Sequence, residues 1–242
     1  MGMDPESRKK LQIALLLAIV VAGGRAAYIV YDRYQERKQD EQPKQEKALK
    51  ADYYVTLRKL HAYDLKSAQD LAKQPVWVKI GYGYTYYPYN AARRKVDFVH
   101  ETGTLLPLQR LQVTEVVTDT TPKDPGSKQV LARFEADGKP YAVPIGVEKD
   151  GDFRIYADEM FYLDDPHQLY KHWPAEVWKA IDAHEVRSGM SELQAGMALG
   201  LGVPDGSGDY GFRTLKFANG GKPFTITFRA DKAVEIKADT AP

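Results

Sequence analysis

The chain has 242 residues, 43% of them hydrophobic, and its 34 Lys and Arg against 33 Asp and Glu leave a formal net charge of +1. So even a balance supplies no general attraction to nucleic acid or anionic lipid, and a mean hydropathy of −0.48 fits a body that buries one or two ordinary cores. The absence of cysteine removes disulfides, thiolate nucleophiles, cysteine metal ligands and a lipid-bearing cysteine together.

Leu11 to Tyr31, LQIALLLAIVVAGGRAAYIVY, has the length and apolar character to cross a hydrocarbon core of roughly 30 Å, with Arg25 its single charge. Arg8, Lys9 and Lys10 form a positive flank within residues 1–10, a cytoplasmic tail on this reading, and Tyr28 and Tyr31 suit an interface. The expectation is an uncleaved signal anchor over residues 11–31, placing a single-pass protein in a bacterial inner membrane with most of the chain outside the cytoplasm. In the alternative, Gly23 and Gly24 break the run and small residues around Ala26 and Ala27 offer a signal-peptide cleavage site. Both readings export the body.

Residues 32–74 read as a charged linker followed by an amphipathic helix. From Asp32 to Lys50 opposite charges interleave around Pro43, as in a solvated, partly helical stalk. From Glu46, the residues Leu49, Tyr53, Leu57, Leu60, Leu65, Ala68 and Leu71 recur near helical spacing up to Gln74-Pro75. His61 falls on or beside the apolar side as a packing residue.

After Pro75 the period changes to two. Trp77, Val78 and Ile80 lead into a stretch where Tyr82, Tyr84 and Tyr86 alternate as on a strand, and Pro88 to Asn90 turns the chain. Further strands are predicted at Val96 to Val99, Leu111 to Val117, Gln129 to Glu135, Lys139 to Val143 and Phe153 to Ile155. Asp124-Pro125-Gly126, Asp137-Gly138 and Asp150-Gly151 are hairpin signals between them. Short strands at this spacing suit a small, strongly bent barrel over residues 75–165. Gly103-Thr104-Leu105-Leu106-Pro107-Leu108 before the Leu111 strand, followed by an Asp-Gly hairpin, resembles bacterial Src-homology-type barrels across about residues 76–160.

Tyr82, Tyr84, Tyr86, Tyr87 and Tyr89 are the candidate binding residues, because rows of aromatic rings stack on sugars and on proline-rich peptides. The opposing reading divides the same tyrosines between a core face and a surface face. Asp158, Glu159, Asp164, Asp165, His167 and His172 form the densest ionisable stretch, and superficially they resemble metal ligands or acid/base partners. Their spacing argues against that use. His167 and His172 point to different sides of a helix, and Asp165-Pro166 reads as an N-cap followed by proline at the first helical position. Trp173-Pro174 then restarts a helix with Val177, Trp178 and Ile181 on its apolar side, so residues 166–184 connect the barrel to the C-terminal domain.

Over residues 185–242, Ser191 and Gln194 form a capping box that starts a helix running to Leu199-Gly200. Tyr210 to Phe217 and Phe224 to Phe228 alternate as strands about an Asn219-Gly220-Gly221-Lys222 hairpin, and Ala233 to Ile236 supplies a third. Gly189, Met190, Ser191, Gln194, Leu199, Gly200, Pro204, Tyr210, Phe228, Asp231 and Lys232 together resemble the BamE/SmpA type of small α/β domain over about residues 184–237. Members of that family are lipid-anchored accessory subunits of outer-membrane protein assembly, and the resemblance implies a helix packed on an antiparallel meander. This chain departs from it in lacking the cysteine, in its longer Leu199-to-Pro204 stretch and in the extra domain that precedes it.

No nucleophile elbow, P-loop, dinucleotide fingerprint or helical zinc motif occurs, and Asp205 to Asp209 lacks the later glutamate of a calcium loop. The expected fold is α+β: transmembrane helix, helical stalk, small β-barrel and BamE-like domain. The expected role is a non-catalytic protein-interaction or assembly module for an envelope or membrane protein, with no cofactor, no metal and no nucleic acid. A cell-wall or glycan binder using Tyr82 to Tyr89 is the alternative, and an enzyme using Asp158, Asp164, His167 and His172 is the third reading.

Overall fold

The computed structural model describes Arg25, Tyr28, Tyr31, Arg33 and Tyr34 and then residues 51–81, 83–122 and 124–239. Strands dominate. A 3-10 turn at Ala51–Tyr54 precedes an extended run, and only then come the short helix α1 (Leu65–Ala68) and a 3-10 turn at Gln69–Lys73. The strands after it are β1 (Val76–Val78), β2 (Tyr84–Asn90), β3 (Lys95–Val96), β4 (Gly103–Leu105), β5 (Arg110–Leu111), β6 (Val113–Thr121), β7 (Asp124–Ala136), β8 (Lys139–Lys149) and β9 (Asp152–Ile155). The chain continues through α2 (Ala157–Met160), β10 (Phe161–Tyr162), α3 (Pro166–Leu169), α4 (Ala175–Asp182), α5 (Glu192–Leu199), β11 (Val203–Pro204), β12 (Thr214–Phe217), β13 (Phe224–Arg229) and β14 (Lys232–Ala238).

Among the described residues the strands form three antiparallel sheets. The seven-stranded sheet runs β3-β2-β8-β7-β6, with β4 on β2 and β9 on β8, and is nearly closed into a barrel. A three-stranded sheet, β10-β1-β5, and a four-stranded sheet, β11-β12-β13-β14, complete the set. Asp137 and Gly138, at φ 51 and 70°, and Asp150 and Gly151, at φ 56 and 89°, make the two tight hairpins on either side of β8. Positive φ at both central residues matches the twist of the flanking strands, which is why Asp-Gly occupies both turns. The expected turn at Asp124-Pro125-Gly126 lies instead within the start of β7, because Thr121 already pairs with Asp124.

One core fills the near-barrel, around Val116, Val130, Phe134, Val143, Ile145 and Phe161. A second lies under the C-terminal sheet, where Trp178, Ile181, Met197, Phe217, Ile226 and Phe228 meet. Helix α5 starts as the sequence requires: the Ser191 side chain accepts from Gln194 N, and Gln194 Oε1 accepts from Ser191 N at 2.9 Å. Asp165 caps α3 through His167 N, with Pro166 at the first helical position. The Glu192 carboxylate, 5% exposed, accepts from Gly211 N at 2.5 Å and from Arg213 Nε and Nη2 at 3.0 and 2.9 Å. That buried anchor ties the glycine-rich loop before β12 to the helix.

Several expectations are corrected. The fold is mostly β with few helices rather than α+β, and of the helices described from end to end the longest, α4 and α5, span eight residues. No helix of the described residues is long and apolar enough to cross a membrane, which overturns the transmembrane signal anchor and the placement as a single-pass protein of a bacterial inner membrane. Of residues 11–31, Arg25, Tyr28 and Tyr31 are described, each helical and exposed, and a charged guanidinium is costly to hold in hydrocarbon. The other residues of 11–31, and the stalk apart from Arg33 and Tyr34, lie outside the described residues. Of the amphipathic helix expected from Glu46 to Gln74, residues 46–50 lie outside the described residues, and among residues 51–74 an α-helix forms only near the end. Asp64 accepts from Ser67 N and begins α1 there, while His61 sits at φ 53° and the N–H groups of Leu60 and His61 go to the Asp158 carboxylate at 2.6 and 2.9 Å. Long-range hydrogen bonds have overridden local periodicity.

Candidate functional site

Strand β2 carries the tyrosines, and its pleat sends them to opposite faces. Tyr84 and Tyr86 pack on the near-barrel core, with Tyr86 edge-on to Phe134 and Tyr141 at centroid distances of 5.6 and 5.2 Å. Tyr89 is buried on the other face with Leu131 and Ala142, and the Arg133 guanidinium lies 4.1 Å from its ring centroid. Among the described residues, its hydroxyl and Arg133 Nε have no hydrogen-bond partner. Arg133 also pairs with Glu115, which Arg94 meets at 3.0 Å. Tyr82 lies outside the described residues. The row is therefore not one aromatic platform.

Tyr87 is half-buried, and another aromatic side chain lies beside it. Its ring meets Phe98 at 5.3 Å and 61°, and both line a cavity of about 740 Å³ with Val99, Glu101, Asp124 and Gln129. Val99 is 74% exposed. Burial pushes the Tyr87 hydroxyl above the ordinary tyrosine value, and the negative Glu101 adds to that shift. The Asp124 carboxylate accepts from Gly126 N at 3.2 Å and from Ser127 Oγ at 2.5 Å, so it is held in place at the rim. Among the described residues lining the cavity none is a cation.

Sequence reasoning missed Phe98, Val99 and Glu101. A strand was expected over Val96 to Val99, but β3 ends at Val96, with Asp97 N still donating to Pro88 O at 3.0 Å, and beyond it the Asp97 carboxylate takes Val99 N at 3.2 Å and contacts the His100 ring at 2.8 Å. The resulting loop turns the Phe98 ring toward Tyr87. An apolar pair immediately after a charged hairpin was the available signal.

The ionisable stretch is spent on structure. Asp158 holds two main-chain N–H groups, Asp164 pairs with Arg58 at 2.8 Å, and His167 stacks on Trp178 at 4.1 Å between Asp165 and Asp182. His172 packs beside Tyr170 and Trp173. Among the described residues no group of three or more His, Asp or Glu could hold a metal ion. No protein-family model, curated protein or solved structure matches the chain.

Proposed function

We propose that the protein is a non-catalytic interaction module that seats an extended, basic segment of a partner protein against Tyr87 and Phe98. The observation that carries this reading is the edge-to-face aromatic pair opening onto a cavity whose described charged lining residues, Glu101 and Asp124, are both acidic. Rigid aromatic surface lends contact area at low entropic cost, and carboxylates at the rim select a lysine or arginine on the bound segment. The structural use of Asp158, Asp164 and His167 supports a binding role over catalysis. The resemblance of residues 184–237 to BamE/SmpA-type accessory subunits points the same way, toward a protein partner.

The test is fluorescence anisotropy of the full chain with a labelled proline–alanine decapeptide bearing one central arginine, beside its norleucine counterpart. Tyr87→Ala and Glu101→Gln are each expected to weaken the arginine peptide about tenfold, equivalent to about 1.4 kcal/mol, and to leave the norleucine peptide's weaker binding closer to unchanged for Glu101→Gln. Equal binding of the two peptides by the wild-type chain refutes the proposal. Retention on soluble glycan oligomers that is lost in Tyr87→Ala would move the site to the glycan reading instead.

A further inference from the structure

A second cavity, of about 670 Å³, lies where the ends of β1 and β4 face the C-terminal end of α5 and strand β11. Its walls are largely aliphatic, and Leu106, Leu201 and Val203 there are 44, 38 and 59% exposed. Exposed aliphatic side chains gathered in a concave site mark a contact surface more often than isolated ones do.

Two observations restrict what fills it. First, among the described strands β4 pairs with β2 alone and β11 with β12 alone, so walls from two different sheets each contribute a strand with one unpaired edge. Second, among the described residues lining the cavity Lys79 is the only charged one. Its Nζ donates to the Asp158 main-chain oxygen at 2.5 Å and lies 5.2 Å from the Tyr162 ring centroid. An ammonium has three donors, so capacity remains. The Asp158 carboxylate, which also accepts from Leu60 and His61 N–H, and then Glu159 favour the Lys79 ammonium through space while Lys59 opposes it, and among the described residues neither carboxylate lines the cavity. Burial pulls the Lys79 amine below the ordinary lysine value, and an added carboxylate would offset that cost.

We infer that this cavity docks an extended apolar segment of a partner protein that carries a carboxylate. The segment's main chain adds to the open edge of β4, its alternate side chains enter between Leu106 and Val203, and its carboxylate meets Lys79. Among the described residues the two cavities share no lining residue, and the charged residues lining them are of opposite sign.

The probes are two labelled hexapeptides of alternating valine and threonine, one ending in a free carboxylate and one in an amide, titrated into the full chain. The free acid is expected to bind at least tenfold tighter than the amide. Lys79→Met should abolish that preference, Lys79→Arg should keep it, and Val203→Asp, at an exposed position, should weaken both peptides tenfold or more. Tyr87→Ala should change neither affinity. Equal affinity of the two peptides for the wild-type chain, or no binding of either, overturns the inference. Stronger binding of dodecanoate than of both peptides would reassign the cavity to a lipid-like amphiphile, and a dimer dissolved by Val203→Asp would reassign it to a second copy; each of these also overturns it.

Discussion

Removing the Glu192 carboxylate is the sharpest test of how the C-terminal unit is held. Glu192→Ala deletes an acceptor that serves Gly211 N and two guanidinium nitrogens of Arg213, in a residue only 5% exposed. Breaking a buried ion pair from one side costs about 3–5 kcal/mol, because the other charge is left without compensation. The Arg213 side chain is 28% exposed, so water recovers part of that loss; the expected cost is about 2–3 kcal/mol, or roughly 4–12 °C in Tm for a chain of this size. Chemical denaturation followed by far-ultraviolet circular dichroism gives the total. A double-mutant cycle with Arg213→Ala isolates the pair and should return a coupling of about 1–2 kcal/mol. Glu192→Gln should cost less than the alanine change, since its amide oxygen still accepts from one donor while its NH2 faces the other. Amide exchange at Gly211 should accelerate in all three variants, because the bond that protects it is weakened or lost. If Glu192→Ala and Arg213→Ala prove additive within about 0.3 kcal/mol, the ion pair does not anchor the loop and the reasoning fails.

Three other outcomes each rest on a single residue. Asp119, 4% exposed, accepts from Lys95 Nζ, Val96 N and Thr120 N at 2.7, 2.8 and 2.9 Å; burial alone would raise its pKa, but these donors outweigh burial and hold it below the ordinary 3.8. The unfolded chain therefore binds the proton more readily, the stabilisation is complete above about pH 4 and fades as pH falls through the native value, and Asp119→Asn should flatten that part of an acid-unfolding profile. Asp64, Asp97 and Glu148 are also lowered and keep the remaining slope. Gln69→Ala removes a side-chain amide that donates to Val116 O at 2.6 Å and accepts from Val116 N at 2.9 Å, and should cost about 1–3 kcal/mol by urea titration, with increased aggregation because the β6 edge is uncovered. Gly146→Ala places a methyl group against the Arg154 carbonyl and 2.9 Å from Ile155 Cα, so β9 must shift away from β8, and a loss of about 1–3 kcal/mol in thermal unfolding is expected; an unchanged Tm would refute it.

Local chemistry was legible where it acts within a few residues. Asp137-Gly138 and Asp150-Gly151 had to turn, because a two-residue hairpin needs positive φ at both positions. Ser191 with Gln194, and Asp165 with Pro166, had to begin helices, because their side chains satisfy first-turn N–H groups. Alternation in the strands was readable as well, including the division of the tyrosines between two faces, which was the opposing reading of that row.

The tertiary structure decided the places where a distant group competes with a local preference. The periodic apolar residues after Glu46 met every helical expectation up to Leu71, yet Asp158 draws the N–H groups of Leu60 and His61 into an extended run and Leu57 goes to a different core from Leu71. Val203–Pro204 joins a sheet only because β12 is already in place to pair with it. The cavities depend in the same way on distant segments: Phe98 reaches Tyr87 because an aspartate ended a strand early, and Lys79 and Leu201, far apart in the chain, line one cavity. Periodicity, capping and turn chemistry are properties of neighbouring residues and can be read along the chain, whereas a cavity is set by which remote strands come to lie opposite one another.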